Sequence, residues 1–385
     1  MAVSQRNFIK LLKLTNLRQS STAAQAMPVH EDIHQSFRTR EDNPEYHGMQ
    51  HINRIYTIPN NDLKMITCQG LITMYMKQFK TFAEASILVR KPAVEIISYL
   101  NQADYSKPVN KYVLYGEDGT GKTSTMLHTL HYAYTKGQII VHVPWIRSWF
   151  DGPKETANSI TKTNKIDLPF HAAAWLRNFK TQNQHILNKA DIKLSATHEW
   201  SATENSAKDS SLMDMIDFGI SRIKFASNVI IKLMSELKQA STSGKCKVLV
   251  AIDGYNALFS QQTNIFNDNK QMVPASQVSL TEAFLDITKS DWCNGQVIVT
   301  VDKMATKENA ESHFPRYLLT NEGFDHLDPF LPISVENYTE DEFNTVIEYY
   351  KNRKWIRNLS SDGQKELQLL SGGNPYKLME YCKHL

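Results

Sequence analysis

Two uninterrupted apolar runs, Val248 to Ile252 and Val297 to Val301, have strand length and lack the alternation of a half-exposed sheet. Each is followed directly by an acid, Asp253 or Asp302. A further run, Tyr112-Val113-Leu114-Tyr115, leads through a glycine-rich turn into a helical stretch from Ser124 to Tyr134 and a strand over Gln138 to Val143. Strand, glycine loop, helix and strand make a βαβ unit, and fully apolar strands with helices between them imply a parallel sheet covered on both faces. Leu212, Met215, Ile216, Ile220, Ile223, Val229, Ile230, Leu233, Met234 and Leu237 recur every three or four residues. They predict one long buried helix, opened by a Ser211-x-x-Asp214 capping box and closed by a turn at Gly244. The apolar positions from Phe82 to Leu100 predict two helical segments broken near Pro92, and from Glu340 onward the pattern is helical only.

Polar stretches separate these elements. Glu31 to Tyr56 is rich in His, Arg, Asp and Asn without periodicity and reads as an extended arm. Asp151 to Ser211 is long and interrupted, with a helix expected around His171 to Lys180 and a loop over Ser195 to Ser210, so 151–210 reads as an insertion. The pairs His30/His34 and His47/His51 have i, i+4 spacing, but without a helical pattern or third ligand they read as solvent-exposed. No run approaches the ~18–20 apolar residues of a membrane span. The four cysteines are scattered, which suggests neither a disulfide framework nor a zinc site.

Charge changes the picture at the head of the chain. Formal net charge is +3, from 43 basic and 40 acidic residues among 385, which excludes a polybasic protein that binds nucleic acid by bulk charge. From Met1 to His30 there is no acid, while Arg6, Lys10, Lys13 and Arg18 stand beside Phe8, Ile9, Leu11, Leu12 and Leu14. A cationic face next to an apolar one is the composition of a mitochondrial transit peptide, expected over 1–28, which places the chain in the mitochondrial matrix. Removing its four basic residues leaves 39 against 40 acidic, formally −1. A chain so balanced is expected to make more protein than RNA interface.

The glycine turn carries the chemistry. Gly116-Glu117-Asp118-Gly119-Thr120-Gly121-Lys122-Thr123 satisfies G-x-x-x-x-G-K-[ST] between a strand and a helix, the context in which backbone N–H groups cradle phosphates. Gly116, Gly119, Thr120, Gly121, Lys122, Thr123 and Ser124 are the candidate nucleotide-binding residues. Thr123 and Asp253 are the candidate Mg²⁺ ligands. Gly254 follows Asp253 where P-loop ATPases of the additional-strand class usually carry a glutamate that activates water, so hydrolysis is expected to be very slow or absent and no catalytic residue is assigned. Thr300 or Asp302 could stand near the terminal phosphate, while Arg316, the available arginine finger, reads better as surface. Asn188-Lys189-Ala190-Asp191 matches a guanine-reading N-K-x-D pattern, but it precedes Asp253 and lies in a polar helical segment, and is discounted. Ser371-Gly372-Gly373-Asn374-Pro375 opens the last helix, and Pro375 is a candidate contact for the nucleotide base.

With these motifs, Phe37-Arg38-Thr39, Phe79-Lys80-Thr81-Phe82, Val89-Arg90-Lys91-Pro92-Ala93, Trp175-Leu176, Val250-Ala251-Ile252-Asp253-Gly254, Glu322-Gly323-Phe324-Asp325 and Leu327-Asp328-Pro329-Phe330 resemble the death-associated protein family. The matches run in consistent order from about residue 37 to the end. The resemblance implies an α/β P-loop NTPase fold, AAA- or STAND-like, with a parallel sheet flanked by helices, an N-terminal extended arm and a C-terminal helical subdomain. It implies GTP or GDP with Mg²⁺ as ligand, and a place in the mitochondrial small ribosomal subunit. Small-subunit ribosomal proteins, local stretches of mitochondrial rRNA and intersubunit contacts with the large subunit are the implied partners. An apoptotic role is also associated with the family. Alternatives are an active AAA-like NTPase switch in ribosome assembly or an apoptotic signalling adaptor. The expected organisation is a transit peptide over 1–28, an arm and helical lead-in over 29–90, a nucleotide-binding domain over 91–335 and a helical subdomain over 336–385.

Overall fold

Strand β1 (Arg54–Ile58) pairs antiparallel with β2 (Ala85–Val89), and helices α1 (Asn60–Ile66) and α2 (Thr73–Phe82) lie between them in the chain. The computed structural model describes residues 37–71 and 73–383; the expected transit peptide and the pair His30/His34 fall outside them. Next come α3 (Lys91–Gln102), β3 (Asn110–Tyr115), α4 (Lys122–Thr135), β4 (Ile139–Val143) and α5 (Pro169–Ala190). They are followed by α6 (Leu212–Ser221), α7 (Ala226–Thr242), β5 (Val248–Ile252), α8 (Ser279–Ile287), β6 (Gly295–Thr300), α9 (Thr320–Leu327) and β7 (Leu331–Ser334). Three helices end the chain: α10 (Glu340–Asn352), α11 (Ser361–Ser371) and α12 (Pro375–Cys382).

Five strands form one parallel sheet in the order β7-β3-β6-β5-β4. One strand, β6, therefore stands between β3, which feeds the glycine loop, and β5, which ends at Asp253. Strand residues alternate between two buried faces, as the unbroken apolar runs require. Val113, Val141, Val250 and Val299 join the larger core with α5 to α8, while Leu114, Ile140, Ala251 and Ile298 pack on α3 and α4. The outer edge of β4 is closed by a side chain: Asn183 of α5 accepts from Ile140 N at 2.7 Å and donates to Ile140 O at 2.9 Å. Such closure removes a row of unpaired backbone groups from solvent.

Several sequence expectations differ from this arrangement. The predicted long helix over 212–237 is two helices, separated at Arg222 (φ −109°, ψ 69°), so that α7 folds back onto α6. Ser211 caps α6 by accepting from Met213 N at 3.2 Å, without the reciprocal half of a capping box. Ala85–Val89 is a strand rather than helix, because a short apolar run is ambiguous by periodicity and its partner lies about thirty residues upstream. Pro92 begins α3 instead of breaking a helix, since the first helical turn has no use for its missing N–H.

The expected arm is packed over its described part. Ile55 N donates to Phe37 O and Thr39 N to Ile55 O, and two short 3₁₀ turns bring His47 into the interior. Polar contacts, invisible to hydrophobic patterning, hold it: His47 Nδ1 meets Nε2 of His128 on α4 at 2.8 Å, and its Nε2 meets Glu41 O at 2.8 Å. His47 is thus buried, contrary to its reading as exposed. The insertion is part of the core as well, through Trp175, Leu176 and Phe179 of α5, and its polar loop contains a small β-bridged hairpin, His198–Glu199 with Asn205–Ser206.

Candidate nucleotide site

The glycine loop runs from the end of β3 to the start of α4 at the C-terminal edge of the sheet. Among the described residues, no backbone N–H from Glu117 to Ser124 is donated to a protein acceptor. A run of free N–H groups at a helix N-terminus is a ready anion site. Gly119 has φ +80°, and a Cβ there would lie 2.6 Å from the Tyr376 Cβ. Only glycine lets the loop turn this tightly against the last helix.

Lys122 is buried and lies across the loop, donating to Gly116 O and Glu117 O at 2.8 Å each. Its ammonium also pairs with Asp302 at 2.9 Å. Thr123 Oγ1 donates to Asp253 Oδ2 at 2.7 Å, and Thr300 Oγ1 donates to Asp253 Oδ1. Burial pushes the Asp253 carboxyl up to about 6, against the opposing hydrogen bonds from Thr123 and Thr300. Asp118 is also held above the ordinary carboxyl range, first by burial and then by the Asp302 carboxylate beside it. This concentration of buried carboxylate beside a hydroxyl is a hard oxygen donor set, suited to a divalent cation. Among the described residues no group of three or more His, Cys, Asp or Glu side chains could hold a metal. Phosphate oxygens and water would therefore complete the shell of a Mg²⁺ held by Thr123 and Asp253, as is usual for this ion.

Gly254 sits where a water-activating glutamate is expected, in a left-handed conformation with φ +73°. Its N–H donates to Thr300 Oγ1 at 2.8 Å, and a Cβ would lie 3.0 Å from the Trp145 ring. The backbone itself is thus arranged around the absence of a side chain. Thr300 and Asp302 both reach the loop region, whereas Arg316 is exposed.

The last helix closes on the loop. Asn374 caps α12 by accepting from Lys377 N at 3.1 Å, and donates through Nδ2 to Asp118 O at 2.9 Å. Tyr376 N donates to Gly119 O at 3.2 Å. Pro375 lies between these two contacts, in the first turn of α12. Ser124 is in the first turn of α4, on the side of the Tyr75 phenol of α2, whose ionisation is suppressed chiefly by burial.

Arg90 is the organising residue that motif reasoning did not single out. Its Nη1 donates to Thr120 O at 2.7 Å, Nη2 to Glu336 O at 2.9 Å, and Nε and Nη2 form a forked pair with Glu342 at 2.9 and 3.0 Å. The guanidinium lies 5.0 Å from the centroid of the Tyr338 ring. One buried side chain thus ties the glycine loop to the β7–α10 connection and the start of α10. The sequence signal was an Arg-Lys pair between an apolar run and a helix-opening Pro.

Asn188, Lys189 and Asp191 lie at the other end of the sheet. Helix α5 runs antiparallel to β4, with Trp175 Nε1 on His142 O at 3.0 Å and Asn183 on Ile140, so its C-terminus reaches past the start of that strand. The N-K-x-D match therefore cannot read a base held by the glycine loop.

Residues 87–381 match the family model described as mitochondrial ribosomal death-associated protein 3. The chain is 34% identical over 352 residues to small ribosomal subunit protein mS29 of Mus musculus, covering 90% of this chain and 89% of that protein. It is 35% identical to the Bos taurus protein of the same name, covering 90% and 88%. Among solved structures it is similar to the Walker-type ATPase paby2304 of Pyrococcus abyssi, at 10% identity and a TM-score of 0.39, over 76% of this chain and 65% of that one.

Proposed function

The chain belongs to the mitochondrial ribosomal death-associated protein 3 family, and from that premise we propose that it is a component of the mitochondrial small ribosomal subunit whose glycine loop holds a guanine nucleotide with Mg²⁺. Gly116, Gly119, Thr120, Gly121 and Ser124 would supply the cradle, Lys122 the charge for the terminal phosphates, and Thr123 with Asp253 the protein ligands of the cation. Pro375 would flank the base. The resemblance to the family supports GTP or GDP over an adenine nucleotide in this reading, in which small-subunit proteins, stretches of rRNA and the large subunit are the partners.

The role is structural rather than catalytic. Gly254 carries this reading: a left-handed glycine under Trp145 leaves no group to take a proton from water. The nucleotide instead cements the contact between loop and last helix. A ligand that binds only the folded chain adds about 2.7 kcal/mol at a hundredfold excess over its Kd.

Titration of the full chain with a fluorescent guanine nucleotide, with and without Lys122→Ala, tests the site, and a turnover assay tests the role. Loss of binding and of ligand-induced thermal stabilisation in the variant is expected, with no turnover in the parent. Unchanged binding would exclude the loop as the site. Brisk hydrolysis abolished by Asp253→Asn would favour an assembly switch.

A further inference from the structure

The N-terminal ends of β4 and β5, opposite the glycine loop, open onto a cavity of about 970 Å³. Four lysines line it, Lys136, Lys189, Lys245 and Lys247, and no Asp or Glu does. Lys136 pairs with Glu45 from the packed N-terminal segment. Among the described residues the other three have no carboxylate within ion-pair distance, and Lys247 instead lies 3.9 Å from the centroid of the Tyr105 ring. All four lysines are exposed.

Lysines gather near helix C-termini for a local reason, because the last carbonyls carry partial negative charge. Here α4, α5 and α7 all end at the cavity. Three helix ends amount to about one and a half negative charges. With Glu45 they leave an excess of roughly one to two positive charges on this rim, in a chain that is nearly neutral without its head. The floor is open too: nothing stands within 4 Å of where a Cβ of Gly137 or Gly244 would point, so a ligand can approach the backbone closely.

We propose that this cavity is a phosphodiester-binding site, where the chain grips a stretch of RNA backbone. The choice of RNA as the polyanion rests on the ribosomal reading above; the site itself rests on the lysines. Composition favours RNA over an acidic protein surface. Lysine is depleted and aromatic residues are enriched in the cores of protein–protein interfaces, whereas nucleic-acid interfaces are strongly positive and polar. The only aromatic ring here, Tyr105, lies under Lys247 with its hydroxyl donated to Leu100 O at 2.9 Å. Ser106, Thr242 and Asn294 add neutral polar groups to the rim. Nothing in the arrangement reads bases, so the contact positions the chain without selecting a sequence.

The test is anisotropy of a fluorescein-labelled 20-nucleotide uridine RNA with the full chain and with the triple variant Lys189→Glu, Lys245→Glu, Lys247→Glu, over a range of KCl. The expected result is an affinity loss of about tenfold or more at 0.1 M salt, with the log–log salt slope reduced by about 2, at ~0.7 per released phosphate contact. Polyglutamate should compete poorly, and guanine-nucleotide binding should be unchanged, since the loop is at the other end of the sheet. If charge reversal prevents folding, the Lys→Gln triple variant serves with a smaller expected loss. RNA affinity within twofold of the parent, or polyglutamate competing as well as RNA, overturns the proposal. Sedimentation of the parent chain with mitochondrial small subunits separates this from the ribosomal reading. A parent chain that co-sediments while its RNA affinity ignores the lysines sinks the cavity alone, and a parent chain absent from the subunit sinks the ribosomal reading.

Discussion

Replacing Arg90 with methionine removes the tie between the glycine loop and the C-terminal helices while keeping most of the side chain's volume. The Arg90 and Glu342 side chains are 8% and 5% exposed, so solvent screens little of their interaction. Removing the guanidinium leaves the Glu342 carboxylate buried with only its capping bond from Thr339 N at 3.0 Å, and orphans Thr120 O and Glu336 O. Breaking a buried pair from one side costs about 3–5 kcal/mol, a large share of the ~5–15 kcal/mol by which domains are stable. Adding Glu342→Gln should recover about 1–3 kcal/mol, because an unpaired charge becomes a neutral group that still closes the capping box with Thr339. Urea denaturation of the parent, Arg90→Met and the double variant measures both quantities, and nucleotide titration of the same samples reads the loop. Binding should weaken in both variants, since Thr120 loses its anchor in each. A loss below about 1 kcal/mol for the single variant, or a double variant no more stable than the single, would refute this account of the tie.

Two further outcomes follow from buried groups. His47 and His128 are held below their ordinary value of 6.5, mainly by burial; Glu41 and Asp42 oppose this at His47 while His51 adds repulsion there, and His47 and His131 add repulsion at His128. For these two groups the unfolded chain binds protons that the folded chain does not, so their contribution to stability should fall as pH drops below about 6.5, opposed in part by the raised Asp253 carboxyl; denaturation from pH 8 to 5.5 of the parent and His128→Phe isolates it, and identical pH profiles for the two would contradict it. Gly254→Glu should not restore hydrolysis and should cost roughly 1–3 kcal/mol, from strain at positive φ and the clash with Trp145; a stable, hydrolysing variant would show that the missing glutamate alone explains the inertness.

Much of the sheet was legible because its strands are buried on both faces, which writes Val248–Ile252 and Val297–Val301 as unbroken apolar runs. The loop was legible because phosphate binding demands glycines and a lysine at fixed spacing. What escaped depended on distant partners. Ala85–Val89 becomes a strand only by pairing with Arg54–Ile58, and His47 is buried against His128 and Tyr56, which lie outside its own segment. Arg90 escaped for the same reason: its partners Thr120, Glu336 and Glu342 lie 30 to 252 residues away. The break at Arg222 has no Gly or Pro at Ser221 or Arg222 to announce it.

The most direct test of the central claim is the nucleotide content of the chain in its native assembly. Mitochondrial small subunits purified through the tagged parent chain, denatured and resolved by chromatography with parallel magnesium analysis, should release close to one guanine nucleotide per chain, and subunits carrying Lys122→Ala should release none beyond background. An adenine nucleotide, or equal release from parent and variant, would contradict the claim that this loop holds a guanine nucleotide as part of the folded ribosomal protein.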